Sequence, residues 1–366
     1  MLNVDIRHDF PAIRLNIRFE APEGITVLLG RSGSGKTSVI NAVAGILRPR
    51  EGKISLGERV LQDSARGAWL PPRERNLGYV FQESRLFPHL SVRDNLLYGA
   101  RRRGLGIPAE FQELLQLLDI AQLVDRRPAG LSGGERQRVA IGRAMLAQPR
   151  MLLMDEPMAA LDEARKAELL PYIERLSKGR NVPVLYVTHN IAEAARLADT
   201  IVVIDGGQVA ASGPAGDILA DPEVAPVLGV RAAGAIVQGR VVQVHGDGLT
   251  EVAVDGGRLY LPGCDAAPGE SIRLRVEAQD VMIALERPVG VSALNILPVT
   301  VSAVKSGQGP GSLIQLANGG MRLLARVTKR SEAALGLRVG LPCYAVLKSV
   351  SVAREGLHRV GGDRPG

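Results

Sequence analysis

The sequence predicts an α/β chain in which a mostly parallel sheet with helices is followed by a small all-β region. Three observations carry this. Up to about Ala198, apolar runs of strand length alternate with helix-periodic segments, the pattern of parallel strands joined by crossover helices. One of those runs, Ile25 to Leu29, leads straight into Gly30-Arg31-Ser32-Gly33-Ser34-Gly35-Lys36-Thr37, a match to G-x-x-x-x-G-K-[ST] that opens a helix-like segment reaching Ala44. Past Leu228 the helical periodicity fades and short strands separated by Gly-rich turns take over.

Composition bounds the rest. A chain of 366 residues has room for two or three domains, and 46% apolar with 23% charged residues is ordinary for a globular protein. No apolar run approaches the roughly 18 residues that a bilayer span needs, and the N-terminus carries Asp5, Arg7, His8 and Asp9 where a secretory core would stand. The expectation is a cytoplasmic protein. The net charge of +7 is scattered, with Arg101 to Arg103 as its tight cluster, and aromatic residues make up 3% of the chain. A stacking surface for nucleic acid is therefore not expected; the charge points to anionic ligands or a membrane-side station. Cys264 and Cys343 fit no metal-ligand spacing and read as free buried thiols.

In chain order, Val4 to Phe19 reads as two short strands with a turn at Phe10-Pro11. Phe10 is either a ring that stacks on a base or a core residue. The glycines of the loop lack a Cβ, so backbone N–H groups can turn inward onto phosphate oxygens; Lys36 would reach the β- and γ-phosphates and the Thr37 hydroxyl a Mg²⁺. Lys53 to Leu56 is a short strand, and Gly78 to Gln82 a core strand with an amide at its tip, placed to complete a metal shell or sense a γ-phosphate. From Pro88 to about Arg127 the periodicity is helical, an insertion. Ser132 is an N-cap candidate, with Gly133 and Gly134 leaving a second helix start open to an anion. Met151 to Met154 is a buried strand ending in Asp155, in the place of a Mg²⁺ partner, and Glu156, the natural general base. Glu163 to Lys178 is amphipathic, with Pro171 expected to kink it or reset its start. Val182 to Val187 runs into Thr188-His189, and Thr200 to Ala211 folds as a hairpin around Asp205-Gly206-Gly207. In the β region, Val241 to Val244 with Gly256-Gly257 parallels Val301 to Val304 with Gly319-Gly320, and Arg275 to Val281 parallels Val346 to Val352, as two copies of one unit would.

The loop at Gly30, Gln82, Leu131-Ser132-Gly133-Gly134-Glu135, Leu152 to Glu156, Ala160-Leu161-Asp162 and His189 resemble, in order and spacing, the ATP-binding subunits of ABC transporters over residues 1–228. The resemblance implies an ABC cassette of the P-loop NTPase class. ATP and Mg²⁺ would be held by Gly30, Arg31, Ser32, Gly33, Ser34, Gly35, Lys36, Thr37, Ser38, Gln82 and Asp155, with the metal on Thr37, Gln82 and Asp155. Lys36, Glu156 and His189 would be catalytic, and Ser132, Gly133, Gly134 and Asp162 would close the site from a second copy. Ala159 stands where many members carry Ser, which removes one hydroxyl contact. Phe10 stands where the family's stacking aromatic is typically Tyr.

Ser292-Ala293-Leu294-Asn295-Ile296-Leu297 and Val346-Leu347-Lys348-Ser349-Val350-Ser351-Val352 also resemble the oxyanion-binding Mop fold (an OB-like β-domain), and Arg75 to Gln82 and Ala278 to Val281 agree with the ATPases of molybdate importers. This implies three parts: a cassette over 1–228 with a helical insertion at about 88–130, a β-rich first half over 229–286, and a Mop-like regulatory domain over 287–366. Ser292, Asn295, Lys348 and Ser349 match the oxyanion ligands. Leu294 replaces the Arg of the usual Ser-Ala-Arg-Asn form, which removes a strong anion donor. Oxyanion binding and a structural dimer contact thus both stay open for this domain. The family context adds a homodimer, two transmembrane permease subunits, a periplasmic oxyanion-binding protein and a station on the cytoplasmic face of the inner membrane. Rival readings are an importer of sulfate, a polyamine or a sugar, an intracellular oxyanion-binding module, and an ABC ATPase outside transport.

Overall fold

The computed structural model describes residues 1–159, 161–180, 182–229, 233–264, 266–349 and 357–360. Ala160 and residues 350–352, both part of motifs read above, lie outside them. Two compact units emerge, Met1–Asn190 with Leu197–Ser212, and Ile191–Arg196 with Gly213–Gly366. No described helix is long and apolar enough to cross a membrane.

Up to the division the elements are β1 (Leu2–Asp9), β2 (Arg14–Ala21), β3 (Ile25–Leu29), α1 (Lys36–Ala44), β4 (Glu51–Leu56), β5 (Arg59–Asp63), β6 (Ala68–Trp69), α2 (Pro72–Arg75), β7 (Leu77–Val80), α3 (Val92–Arg102), α4 (Phe111–Leu117), α5 (Gly133–Leu146), β8 (Met151–Asp155), α6 (Glu163–Arg180), β9 (Val184–Thr188), α7 (Ile191–Leu197), β10 (Thr200–Asp205) and β11 (Gln208–Pro214). They build one eleven-stranded sheet in the order β6-β5-β4-β1-β2-β11-β10-β3-β9-β8-β7. The five strands from β10 to β7 are parallel. The wing formed by β1, β2, β4, β5 and β6 is antiparallel. The sheet is therefore mixed, where sequence periodicity suggested one mostly parallel sheet. The reason is connection length: parallel neighbours need a long crossover, whereas β1–β2 and β4–β5 are joined by short turns. Strands β5 and β6 escaped the sequence reading because Arg59–Asp63 carries only two apolar residues, Val60 and Leu61.

Every residue of β3, β8 and β9 is buried, as expected for central parallel strands covered on both faces. β2 alternates exposed and buried residues and has one wet face. β10 and β11 form the expected hairpin, its Gly206 and Gly207 both at positive φ (52° and 79°). A Cβ at Gly207 would lie 2.2 Å from the Arg14 carbonyl oxygen. Pro171 lies inside the single helix α6 and does not reset its start.

The second unit adds α8 (Ala215–Leu219), α9 (Ala225–Leu228), β12 (Gly234–Val244), β13 (Leu249–Val254), β14 (Gly257–Pro262), β15 (Ser271–Glu277), β16 (Met282–Ala284), β17 (Asn295–Ser306), β18 (Gly311–Asn318), β19 (Met321–Thr328), α10 (Lys329–Ala334), β20 (Pro342–Leu347) and β21 (Leu357–Val360). Its two five-stranded sheets run β14-β13-β12-β15-β21 and β19-β18-β17-β20-β16. Each sheet reads third, second, first and fourth strand of one repeat, then the fifth strand of the other. The repeats thus exchange their last strands. Both first strands carry a register shift at the matching place, Val241/Gln243 and Val301/Ala303. One core that includes Val252, Leu261, Leu274, Ile314, Leu316 and Leu323 joins the sheets. Cys343 is a buried free thiol, and Cys264 is half-buried.

Candidate nucleotide site

The loop between β3 and α1 is shaped by contacts that side chains would destroy. A Cβ on Gly30 would sit 2.2 Å from the Ile204 carbonyl oxygen, and one on Gly35, whose φ is +104°, would sit 2.5 Å from Leu15 Cδ2. Gly35 caps α1 without a side-chain hydrogen bond, and the first turn holds no acidic residue, so the helix start is left for an external anion. The Lys36 ammonium is buried and donates to the carbonyl oxygens of Gly30 (2.8 Å) and Arg31 (2.9 Å). Burial lowers its pKa, opposed by the charges of Glu156 and Asp155.

Parallel pairing puts the strand tips on one edge. Val80 pairs with Met154 and Asp155 with Val187, so Gln82, Asp155, Glu156 and His189 leave the sheet together with the loop that follows β3. Thr37 Oγ1 donates to Asp155 Oδ1 at 3.1 Å. Burial raises the Asp155 pKa; Glu156 adds to this, while the Thr37 and Tyr79 hydroxyls oppose it. Glu156 adopts φ +43°, unusual for a residue with a side chain, and its Oε1 lies 3.1 Å from His189 Nδ1. Gln82 is exposed. The donors Thr37 and Asp155 are both oxygens, which suits a hard cation such as Mg²⁺ whose remaining ligands are phosphates and water.

Ser132 and Glu135 form a capping box at the start of α5: Glu135 N–H donates to Ser132 Oγ (3.3 Å) and Ser132 N–H to Glu135 Oε2 (2.6 Å). A Cβ at Gly134 would meet nothing within 4 Å, so this helix start is open. Asp162 starts α6, accepting from Arg165 N–H at 2.9 Å. Phe10 is half-buried against the first unit's core and meets His8 edge-on at 4.5 Å.

Sequence reasoning named Arg75 within the Arg75 to Gln82 run but gave its side chain no role. It is fully buried and donates to the carbonyl oxygens of Leu70 (2.7 Å), Ala42 (2.8 Å) and Val43 (2.8 Å), gripping the C-terminal end of α1; burial lowers its pKa to about 10. Arg143 likewise ties α5 to the segment after Gln82, donating to Ser84 O (3.0 Å) and Arg85 O (2.8 Å). An Arg shortly before the core strand Gly78 to Gln82 was the available signal for the first; for the second it was an Arg at the helical spacing of Val139, Ala140, Ala144 and Leu146.

Residues 15–159 match the ABC transporter family model and residues 291–353 the TOBE domain model. The molybdenum import ATP-binding protein ModC of Paramagnetospirillum magneticum is 49% identical over 97% of this chain and 98% of that protein. The proteins of the same name from Rhizobium johnstonii (96% of this chain, 99% of that protein) and Rhodospirillum rubrum (98% of each) are both 46% identical. The chain belongs to the ABC transporter family. Solved ABC transporter structures share its cassette fold. One from Clostridium perfringens, cbiO1, part of the complex cbiONQ, has a TM-score of 0.52 at 25% identity and covers 63% of this chain and 94% of its own. A dimeric bacterial ABC transporter cassette has a TM-score of 0.50 at 24% identity, covering 59% of this chain and 99% of its own.

Behind the ABC cassette, the TOBE match takes in the four oxyanion candidates. Asn295 is fully buried: its Oδ1 accepts from Tyr260 N–H (2.7 Å), and its Nδ2 donates to Tyr260 O (3.1 Å) and Ser349 Oγ (3.4 Å). It therefore acts as a substitute backbone partner between β17 and β14. Ser349 is buried beside it, while Ser292 and Lys348 are exposed. Asn295→Ala leaves the Tyr260 N–H and C=O unpartnered, and a loss of about 2–4 kcal/mol is expected from two unsatisfied buried groups. Urea denaturation of the full chain, followed in the second unit, checks this.

Proposed function

We propose that this ABC ATPase drives the import of molybdate, with tungstate as a further substrate, as a head-to-tail homodimer on the cytoplasmic face of the inner membrane. Two permease subunits would carry the oxyanion delivered by a periplasmic binding protein. The observation that carries the chemistry is the common edge on which Lys36, Thr37, Asp155, Glu156 and His189 meet. The relatives of near full-length similarity carry the substrate.

On ATP binding, Lys36 exchanges its two carbonyl acceptors for β- and γ-phosphate oxygens, and the uncapped N–H groups of α1 face the phosphates. Thr37 and Asp155, with Gln82 at the same edge, would hold Mg²⁺, which offsets phosphate charge when bound. Glu156 orients the attacking water and accepts its proton, and His189 turns from Glu156 towards the γ-phosphate. Ser132, Gly133, Gly134 and Asp162 of a second copy close over the nucleotide, their helix start adding a further anion site. Phe10, on the turn between β1 and β2, would pack on the base.

The reading is tested in cells that lack this chain. High-affinity molybdate uptake should be lost and restored by the wild-type gene, with sulfate uptake unchanged. Normal molybdate uptake with loss of another solute would move the reading to a different importer. If Ser292, Asn295, Lys348 and Ser349 form an oxyanion sensor, molybdate should give a saturable heat with the full-length chain, and a Ser349→Ala variant should weaken it. A flat titration at millimolar molybdate rejects sensing and leaves Asn295 its structural role.

A further inference from the structure

We propose that Tyr79, braced by Asn41, is a positioning residue that aims the Asp155 carboxylate at the metal accompanying ATP. This rests on the magnesium role of Asp155 proposed above. Tyr79 stands on β7 opposite Leu153 of β8, and its hydroxyl reaches past the end of the strand pair to Asp155 Oδ2 at 3.4 Å. The same hydroxyl lies 2.9 Å from the Asn41 side-chain amide on α1. Its ring stacks on Phe81, with centroids 4.1 Å apart and planes at 28°.

The phenol has one proton and two neighbours that can accept it. Donation to a carboxylate is about twice as strong as donation to a neutral amide oxygen. As placed, the Tyr79 hydroxyl donates to Asn41 Oδ1; a half-turn of the Asn41 amide presents its NH₂ to the phenol oxygen, giving a relay from Asn41 through Tyr79 to Asp155 in which the phenol accepts once and donates once. The relay spans three elements, α1, β7 and β8.

Its value lies in the division of labour on Asp155. Thr37 occupies Oδ1 and Tyr79 approaches Oδ2. If the Thr37 oxygen were taken up by a metal, Oδ1 would be released and the carboxylate would be free to rotate unless Oδ2 were held. Tyr79 would hold it, leaving Oδ1 available to the metal. The ring stack on Phe81 adds stiffness from the strand that leads to Gln82.

Calorimetric titration of ATP into the full-length protein, once with Mg²⁺ and once with EDTA, separates this role from general packing. The wild type should bind more tightly with Mg²⁺. In Tyr79→Phe, which keeps the ring and its stacking, that metal-dependent gain should shrink by about 10-fold while affinity in EDTA stays the same. Asn41→Ala, on a different element, should shrink the gain in the same direction by a smaller factor. A gain equal to wild type in both variants overturns the proposal, as does equal weakening with and without metal, which would make Tyr79 a shaper of the phosphate pocket. No metal-dependent gain in the wild type would instead overturn the magnesium role itself.

Discussion

Glu156→Gln binds ATP normally and hydrolyses it about 10²–10⁴ times more slowly, the range expected when a general base is removed. The substitution keeps the shape of the side chain. The contact to His189, the backbone at φ +43° and the Thr37–Asp155 hydrogen bond need not move. What is lost is the negative charge that polarises water. If the nucleotide is sandwiched between two copies, the variant also accumulates as an ATP-bound dimer, because hydrolysis is the step that releases the sandwich. Phosphate release measures the first effect and size-exclusion chromatography with ATP the second. Near-normal phosphate release would remove Glu156 as the base, and slow release without a dimer would leave the base but count against the shared site.

Lys36→Met loses ATP affinity by about 100-fold or more, since each charge-assisted hydrogen bond to phosphate contributes about 1.5–3 kcal/mol. The Lys36 ammonium interacts with both Asp155 and Glu156, and those carboxylates oppose the loss of its proton on burial. Removing it leaves two acidic side chains facing the incoming γ-phosphate. Thermal denaturation gives the readout: the wild type should be stabilised by ATP and the variant should not. An unchanged ATP-dependent stabilisation would show that the backbone cradle and α1 bind phosphate without the ammonium.

The nucleotide site was legible because its chemistry is written in contiguous residues. Gly30 to Thr37 must be glycine-rich where Ile204 and Leu15 crowd the backbone, and Asp155-Glu156 must end an apolar strand to stand at a sheet edge. The repeat of the β region was legible through its paired Gly-Gly turns. Of the antiparallel wing, β5 and β6 were not, because Arg59–Asp63 carries only two apolar residues and Ala68–Trp69 is two residues long. The exchange of fifth strands was equally hidden, since β16 and β21 pair with residues distant in sequence.

The side-chain ties divide in the same way. The sequence placed Asn295 in a motif, but only the fold assigns its amide to the Tyr260 backbone, across 35 residues. Arg75 and Tyr79 stood in a strand approach with no distinguishing spacing, and the fold put one on the C-terminal carbonyls of α1 and the other beside Asp155. By itself the sequence determined the phosphate loop, the strand-tip carboxylates and the Ser132 cap, because each depends on neighbours a few residues away and on backbone rules that act locally. The mixed sheet, the exchanged strands and the Asn41–Tyr79–Asp155 relay were decided only by tertiary structure, because hydrogen bonds between distant residues are set by which strands lie side by side.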